Sequence, residues 1–459
     1  MNSPSEPAPA RSDPQDTIAC PGERYLVGGA VRDRLLGLPV LDRDWVVVGT
    51  TPEAMIDAGF RPVGKDFPVF LHPQTHEEHA LARTERKSGR GYHGFVFNTA
   101  PDVSLEADLE RRDLTINAMA EAADGSIIDP FNGRRDIESR QLRHVSMAFT
   151  EDPVRVLRVA RFMARFHGLG FDVAEDTLAL MRQMVADGEI DALVAERVWQ
   201  EMERALASVV PSAFFMTLRH AGALERILPE VDALFGVPQS PRSHPEIDSG
   251  VHTMMVLDEA SSISDDVEVR LAALCHDLGK ATTPKSEWPK HKGHEARSAL
   301  ITQKLGNRLR IPKRMLDAAV IAARYHTHCH RVDELRNSTL AKLLYSLDVL
   351  RKPERFEGFL TVCKADSRGR LGFENTPYPQ AETLCEAAAV FSSVDAAAIA
   401  REIDDKSEVS DQVLKARTRA IAAWRQELAA ADATMPEEGS DDTSLEAGGD
   451  DDTGSGIRD

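Results

Sequence analysis

Apolar positions fall into two regimes along the chain. Between residues 24 and 142 they come as short β-branched or aromatic runs bounded by glycines: Tyr25-Leu26-Val27, Trp45-Val46-Val47-Val48, Pro68-Val69-Phe70-Leu71 and Ile127-Ile128. Runs of that length and make-up predict buried strands. Val31 to Leu36, between the first two, has helical spacing. From about 145 the period changes. Val154-Arg155-Val156-Leu157-Arg158-Val159-Ala160-Arg161-Phe162 opens a series of segments with apolar residues three and four apart. Breaks come at Gly168, Gly188, Pro211, Pro229, Pro238 and Pro245. Strand alternation is nearly absent there, so 145–430 is predicted to be mostly helical. The Pro- and Ser-rich stretch Val237 to Pro245 is the best linker between two helical sections. No repeat of fixed period is visible. The chain therefore reads as α+β, with a small α/β head at 21–142, an all-helical neck at 143–236 and a helical body at 237–430. Disordered tails are expected at 1–20, rich in Pro, Ser and Ala, and at 431–459, made of Gly, Ser and acids.

Composition adjusts this picture in three places. The 459 residues suit about three domains. The five cysteines are odd in number and lack CxxC spacing, so they read as thiols of a reducing, cytoplasmic setting. No run of about 18 apolar residues and no basic start before an apolar stretch is evident, so neither a membrane span nor a secretory signal is expected. The formal charge of −19 argues at first against a polyanionic partner. Yet 431–459 holds ten acids against Arg458 alone, and 1–20 contributes a further −2, which leaves −8 for the body. The total charge excludes little.

Candidate chemistry begins at Gly28-Gly29-Ala30-Val31-Arg32-Asp33, between a predicted strand and a predicted helix. Paired glycines there let main-chain N–H groups approach a phosphate, and Arg32 in the first turn can add a charged fork. Any strand-to-helix turn can look the same. Asp42 and Asp44 strengthen the reading, because i and i+2 at the mouth of a strand share a face. Two close carboxylates repel unless a cation lies between them, and Mg²⁺ suits a few carboxylates plus phosphate oxygens. Such ions activate an attacking hydroxyl and steady a pyrophosphate leaving group.

LVGGAVRDRLLG followed by DRDWVVVG resembles the signature of the DNA polymerase β-type nucleotidyltransferases. Within these the chain is similar to the class II tRNA nucleotidyltransferases, the bacterial multifunctional CCA-adding enzymes, and to bacterial poly(A) polymerases. The likeness continues through Glu110 to Ala118, Ile128 to Gly133 and Glu151 to Phe162, in order over roughly 140 residues. The resemblance implies that Asp42 and Asp44 bind catalytic Mg²⁺, that Gly29 and Arg32 contact a triphosphate, and that Arg112 and Asp113 hold the sugar and phosphate. It also implies CTP, ATP and tRNA as partners.

Template-free choice of C and A has a chemical basis. Both bases present an amino donor beside a ring acceptor, whereas U and G present the reverse. A carboxylate only accepts and a guanidinium only donates, so an Asp beside an Arg pairs with C and A alone. A mismatch in a dry site costs several kcal/mol, on the order of 10³-fold in selectivity. Asp152 and Arg155 stand three apart near a helix start, and the resemblance makes them this amino-acid template. Arg158 and Arg161 follow at three-residue steps and would add base or phosphate contacts. The same residues also describe a helix N-terminus with Asp152 as cap and Pro153 at the first position.

A second signature runs from 249 to 366. His252, His276-Asp277 and Asp366 stand in the order of the HD phosphohydrolases, which the segment resembles. The resemblance implies one divalent metal on His252, His276, Asp277 and Asp366, with His294 and His326 serving a second metal or a phosphate. It implies phosphatase and 2′,3′-cyclic phosphodiesterase activity supported by a transition metal such as Ni²⁺. His72, His76, His79, His93, His328 and His330 receive no role. The basic stretch Arg83, Arg86, Lys87, Arg90 fits a loop over the nucleotide or RNA end as well as a solvated loop. Two other readings compete: a poly(A) polymerase-like enzyme, disfavoured by the intact HD ligands and by the lack of a basic C-terminal extension, and an HD phosphohydrolase with a nucleotide-sensing head. A monomer or a homodimer fits equally. Because the tail carries no motif, deleting 432–459 is expected to leave nucleotide addition largely intact, as labelled-nucleotide incorporation would report; a large loss contradicts this.

Overall fold

A computed structural model of the chain describes residues 18–63, 69–87, 95–98 and 100–434. Residues 1–17 and 435–459 of the expected tails, and Arg90 of the basic stretch, lie outside the described residues. The head is built on a seven-stranded mixed sheet in the order β3-β4-β5-β2-β1-β8-β9. Its strands are β1 (Glu23–Val27), β2 (Asp44–Val48), β3 (Arg61–Val63), β4 (Val69–Leu71), β5 (Glu78–Leu81), β8 (Ala120–Glu121) and β9 (Ile127–Ile128). Strands β6 (Thr84–Lys87) and β7 (Phe95–Asn98) form a separate antiparallel hairpin that holds the first part of the basic stretch. The β-branched run of β2 buries Val46 and Val47 on opposite faces, in two cores. Helices α1 (Gly29–Leu35), α2 (Pro52–Asp57), α3 (Leu105–Glu110) and α4 (Gly133–Glu138) complete the head.

Register decides where the chemistry sits. Strands β1 and β2 are antiparallel with Val27 opposite Asp44, and Val27 also pairs with Ala120 of β8. The glycine turn that follows Val27, the acid that starts β2 and the 110–118 segment that leads into β8 therefore meet at one end of the sheet. Gly28 adopts φ 66°, a left-handed conformation in which a side chain is strained, and a Cβ there would lie 2.9 Å from Arg112 Nη1.

After the head the chain is helical, apart from the two-residue parallel pair β10 (Gln141–Leu142) and β11 (Asp172–Val173). The neck comprises α5 (Val154–Phe166), α6 (Glu175–Ala186), α7 (Ala195–Leu206), α8 (Ser212–His220) and the short α9 (Leu224–Ile227) and α10 (Pro229–Asp232). Then come α11 (Ser249–Ile263), α12 (Val267–Cys275), α13 (His294–Leu309), α14 (Lys313–His330), α15 (Asn337–Leu347) and α16 (Pro353–Arg368). The last helices are α17 (Pro379–Ser393), α18 (Ala396–Glu402) and α19 (Val409–Thr434). Helix α19 runs past 430, so the truncation proposed above belongs at 435 rather than 432.

The described residues form two compact units, one of those up to 335 with 345–384 and one of 336–344 with 385–434. In the second, Arg417 lies over the ring of Phe391 at 4.3 Å, and Arg425 donates to Asn337 Oδ1 at 3.0 Å. One departure from the sequence reading concerns Pro379–Glu402, which by length and a mean hydropathy of 1.4 could cross a membrane. Glu382 and Glu386 interrupt its apolar run, and the helix breaks between Ser393 and Ala396.

Gly279 lies in the turn after α12, where a Cβ would come within 2.2 Å of His294 O and 2.5 Å of Ser298 N at the start of α13. Gly279→Ala is expected to lower the unfolding free energy by about 1–3 kcal/mol; an unchanged calorimetric transition contradicts this close packing.

Candidate active sites

A cleft of about 1810 Å³ opens where the end of the sheet meets α5 and α7. Gly29, Arg32, Asp42, Asp44, Arg112, Asp113, Asp152, Arg155, Arg158 and Arg161 all line it. Asp44 is the first residue of β2 and Asp42 lies in the preceding loop, both open to solvent. Surrounding protein pushes the Asp44 carboxyl up; Arg112 opposes that, and the neighbouring Asp42 adds to it. A carboxylate raised by a like charge beside it is the electrostatic state that a bound cation relieves, so this pair fits a divalent ion.

The rest of the cleft is a set of charge pairs. Arg32 is almost fully buried; it bonds Asp33 Oδ1 at 2.9 Å and lies 5.1 Å from the rings of both Phe162 and Phe166. Arg112 reaches Asp108 at 3.1 Å. Asp113 accepts from Asn117 Nδ2 at 3.0 Å and from Arg158 Nε at 2.6 Å. Burial opposes ionisation of Asp113, but Arg158 and Asn117 outweigh it and hold the carboxyl well below the usual range. Arginines recur in α5 at 155, 158, 161 and 165, a spacing that puts them on one face of the helix. Arg165 pairs with Asp33 at 2.9 Å, so α5 is fastened to α1 as well as to Asp113. Arg161 pairs with Glu201 of α7 at 2.5 Å.

Asp152 ends a short 3₁₀ turn and accepts from Val154 N at 3.1 Å, which caps α5. The guanidinium that grips it is that of Arg197, bidentate at 3.0 and 2.7 Å. Arg155 directs its guanidinium to main-chain oxygens, Ala148 O at 2.7 Å and Arg111 O at 2.6 Å. The sequence reading missed Arg197 because it lies 45 residues downstream of Asp152 on another helix. It also missed Arg165, although the arginine spacing of α5 points to it.

A second constellation lies where α11, α12, α13, α14 and α16 meet. His276 Nδ1 faces Ala273 O at 2.6 Å, His294 Nδ1 faces His291 O at 3.0 Å, and His326 Nδ1 faces Ala322 O at 3.1 Å. A carbonyl only accepts, so each Nδ1 carries the proton and each Nε2 keeps its lone pair. His252 is set differently: its Nε2 lies within hydrogen-bond reach of Asp366 Oδ1 at 3.1 Å, and its Nδ1, 3.0 Å from Glu246 Oε1, makes no hydrogen bond. The four Nε2 atoms converge on carboxylates. His276 and His294 lie 3.1 Å from Asp277 oxygens, His326 lies 3.5 Å from one, and His252 is 3.1 Å from Asp366 Oδ1. Lone pairs facing lone pairs repel, and a cation among them removes the conflict. His276 Nε2 and Asp277 Oδ1 are buried without a hydrogen bond, as ligands awaiting an ion are. His252, His276 and Asp277 bring ligand atoms within 4.8 Å of one another, and so do Asp277, His294 and His326. The donor set fits a divalent transition metal. Burial works against the Asp277 charge, but His276 and Lys280 hold the carboxyl well below the usual range. Lys280, 2.5 Å from Asp277, His244, and His330, 2.7 Å from Asp366, were not anticipated from sequence.

Comparison with known proteins matches the same segments. The poly A polymerase head domain matches 24–143, the probable RNA- and SrmB-binding site of polymerase A matches 170–235, and the HD domain matches 250–352. The multifunctional CCA protein of Alkalilimnicola ehrlichii is 57% identical over 403 residues, covering 88% of this chain and 98% of its own. That of Thioalkalivibrio sulfidiphilus is 64% identical over 360 residues, covering 78% and 88%. The chain belongs to the multifunctional CCA protein family. Its fold is that of the Bacillus stearothermophilus CCA-adding enzyme in complex with CTP, with a TM-score of 0.58 at 23% identity over 89% of this chain and 94% of that one. The Thermotoga maritima CCA-adding enzyme complexed with tRNA superposes with a TM-score of 0.56 at 19% identity, covering 87% of each chain. In this member of the family, the head and HD segments imply dependence on divalent metal.

Because its folded-state pKa is depressed, Asp113 stabilises the fold fully above its unfolded value of about 3.9 and loses that contribution as pH falls toward the folded one. Asp113→Asn is expected to cost about 1.5–3 kcal/mol at pH 7, and its gap from the parent to narrow below about pH 4 in urea unfolding. A gap that stays constant from pH 7 to pH 3 contradicts the assignment.

Proposed function

We propose that this chain adds and repairs the 3′-terminal CCA of tRNA with CTP and ATP as donors, and hydrolyses phosphoesters at its HD centre. The observation that carries the first part is the single cleft shared by Asp42 and Asp44 from the head and the acid and arginines at the start of the neck. The 3′-hydroxyl of the RNA attacks the α-phosphorus, and pyrophosphate leaves. Asp42 and Asp44 would hold Mg²⁺, which would supply Lewis acidity to that hydroxyl and to the triphosphate. The turn at Gly28 and Gly29 leaves room for phosphate against main-chain N–H groups, with Arg32 beside it. Arg112 and Asp113 position the sugar and phosphate. Asp152 and Arg155 read the base, with Arg158 and Arg161 beside them. Arg197, which grips Asp152, adds a second guanidinium beside the base. The names of the relatives, and the CTP, ATP and tRNA complexes among similar structures, support this reading.

At the HD centre His252, His276, Asp277 and Asp366 would hold a transition metal such as Ni²⁺, which lowers the pKa of bound water and polarises a phosphoryl oxygen. Lys280 adds a positive charge beside the centre. The activities proposed are those of a phosphatase and a 2′,3′-cyclic phosphodiesterase in a cytoplasmic protein, acting as monomer or homodimer.

With tRNA lacking its 3′ end and each labelled nucleotide in turn, C and then a single A should be incorporated, and Asp42→Ala should reduce incorporation by on the order of 10³-fold. A long A-tract would instead indicate poly(A) polymerase. Asp277→Ala should abolish phosphoester hydrolysis while incorporation continues; hydrolysis that survives it contradicts the ligand assignment.

A further inference from the structure

Asp366 divides its two oxygens between different neighbours. Oδ1 faces His252 Nε2 at 3.1 Å and His276 Nε2 at 3.8 Å, on the side where the ligand atoms converge; Arg370 Nη2 is 3.5 Å away. Oδ2 faces His330 Nε2 at 2.7 Å. At 2.7 Å this is the shortest of the histidine–carboxylate contacts, and Nδ1 of this ring faces a hydroxyl rather than a carbonyl, so Nε2 of His330 carries the proton and donates. His330 is thus turned opposite to His276, His294 and His326, whose Nδ1 atoms face carbonyls and whose Nε2 atoms are free for an ion. It offers the centre a donor, not a lone pair. The remaining nitrogen, Nδ1, lies 2.8 Å from the hydroxyl of Tyr378, and that hydroxyl is also 3.3 Å from the buried Cys329 Sγ. Tyr378 and Cys329 are enclosed by protein, so the hydroxyl has few partners besides these two.

We propose that His330 and Tyr378 form an outer couple that makes Asp366 a one-oxygen metal ligand, with Oδ1 on the ion and Oδ2 tied to His330. The inference rests on the reading of His252, His276, Asp277 and Asp366 as a metal centre. Tyr378 fixes the tautomer and plane of the His330 ring, and His330 fixes the carboxylate. Both are positioning residues, since neither reaches the ion. Partners of this kind act on metal affinity and ligand geometry rather than on fold stability alone.

The test uses the full chain with Co²⁺ as probe, in excess Mg²⁺ to occupy the head carboxylates. Calorimetric titration gives the dissociation constant and visible d–d absorption reports the ligand geometry. Tyr378→Phe, which removes one oxygen from a packed ring, is expected to weaken Co²⁺ binding about 10-fold, and His330→Ala by about 10–100-fold with a changed spectrum. His330→Gln should recover most of the affinity, because its amide N–H can take the place of Nε2–H. Parental affinity and spectrum in both Tyr378→Phe and His330→Ala would overturn the couple, and so would a glutamine variant as weak as alanine. If His330→Ala does not fold, Tyr378→Phe alone decides. Asp277→Ala separates the two levels: loss of the Co²⁺ signal there upholds the metal centre whatever Tyr378 does, whereas parental binding overturns centre and couple together.

Discussion

The ion pair between Asp113 of the head and Arg158 of the neck fixes the geometry on which the rest of the cleft depends. At 2.6 Å, with the carboxylate buried, it sets the depth and rotation of α5 against the end of the sheet. Breaking such a pair strands a charge, so the structure tolerates little sliding there. The Asp33–Arg165 bridge fastens the other end of the same helix, about two turns further on. With α5 fixed twice, its N-terminus and Asp152 have one position relative to Asp42 and Asp44. The residues proposed to read the base and those proposed to hold metal thereby line one cleft, without any long shared strand or helix.

The HD centre obeys a different constraint. Three imidazoles, those of His276, His294 and His326, turn unprotonated nitrogens toward a cluster of buried carboxylates. Local hydrogen bonds to helix carbonyls set the tautomers before any ion arrives. The metal site is therefore written in the backbone of α12, α13 and α14 as much as in the ligands themselves.

Much of this was legible in the sequence where chemistry is local. The glycine turn with Asp42 and Asp44 showed itself because a strand, a turn and a strand mouth lie within about twenty residues. Buried β-branched runs located β1, β2 and β9, and the three-and-four spacing after 145 located α5 and the helices beyond. The order His252, His276-Asp277, Asp366 stood out through resemblance alone, since nothing in the spacing across more than 110 residues says that these side chains meet. Short strands such as the edge strand β3 and the interior β5 were not visible, because three or four residues carry no clear alternation. Arg197 was hidden for another reason. A helix shows which of its own residues share a face, but not which acid of a distant segment one of them will grip. The same holds for His330 and Tyr378, whose importance lies in the direction of a proton.

The central claim is that metal-binding head carboxylates and a neck base reader serve one nucleotide across the α5 junction. Crystals grown with CTP and Mn²⁺ test it directly, through the anomalous difference map and the density of the base. Manganese peaks are expected between Asp42 and Asp44, with the cytosine pairing edge against Asp152 at the start of α5. Manganese elsewhere, or a cytosine that lies away from Asp152 with the triphosphate in place, would contradict it.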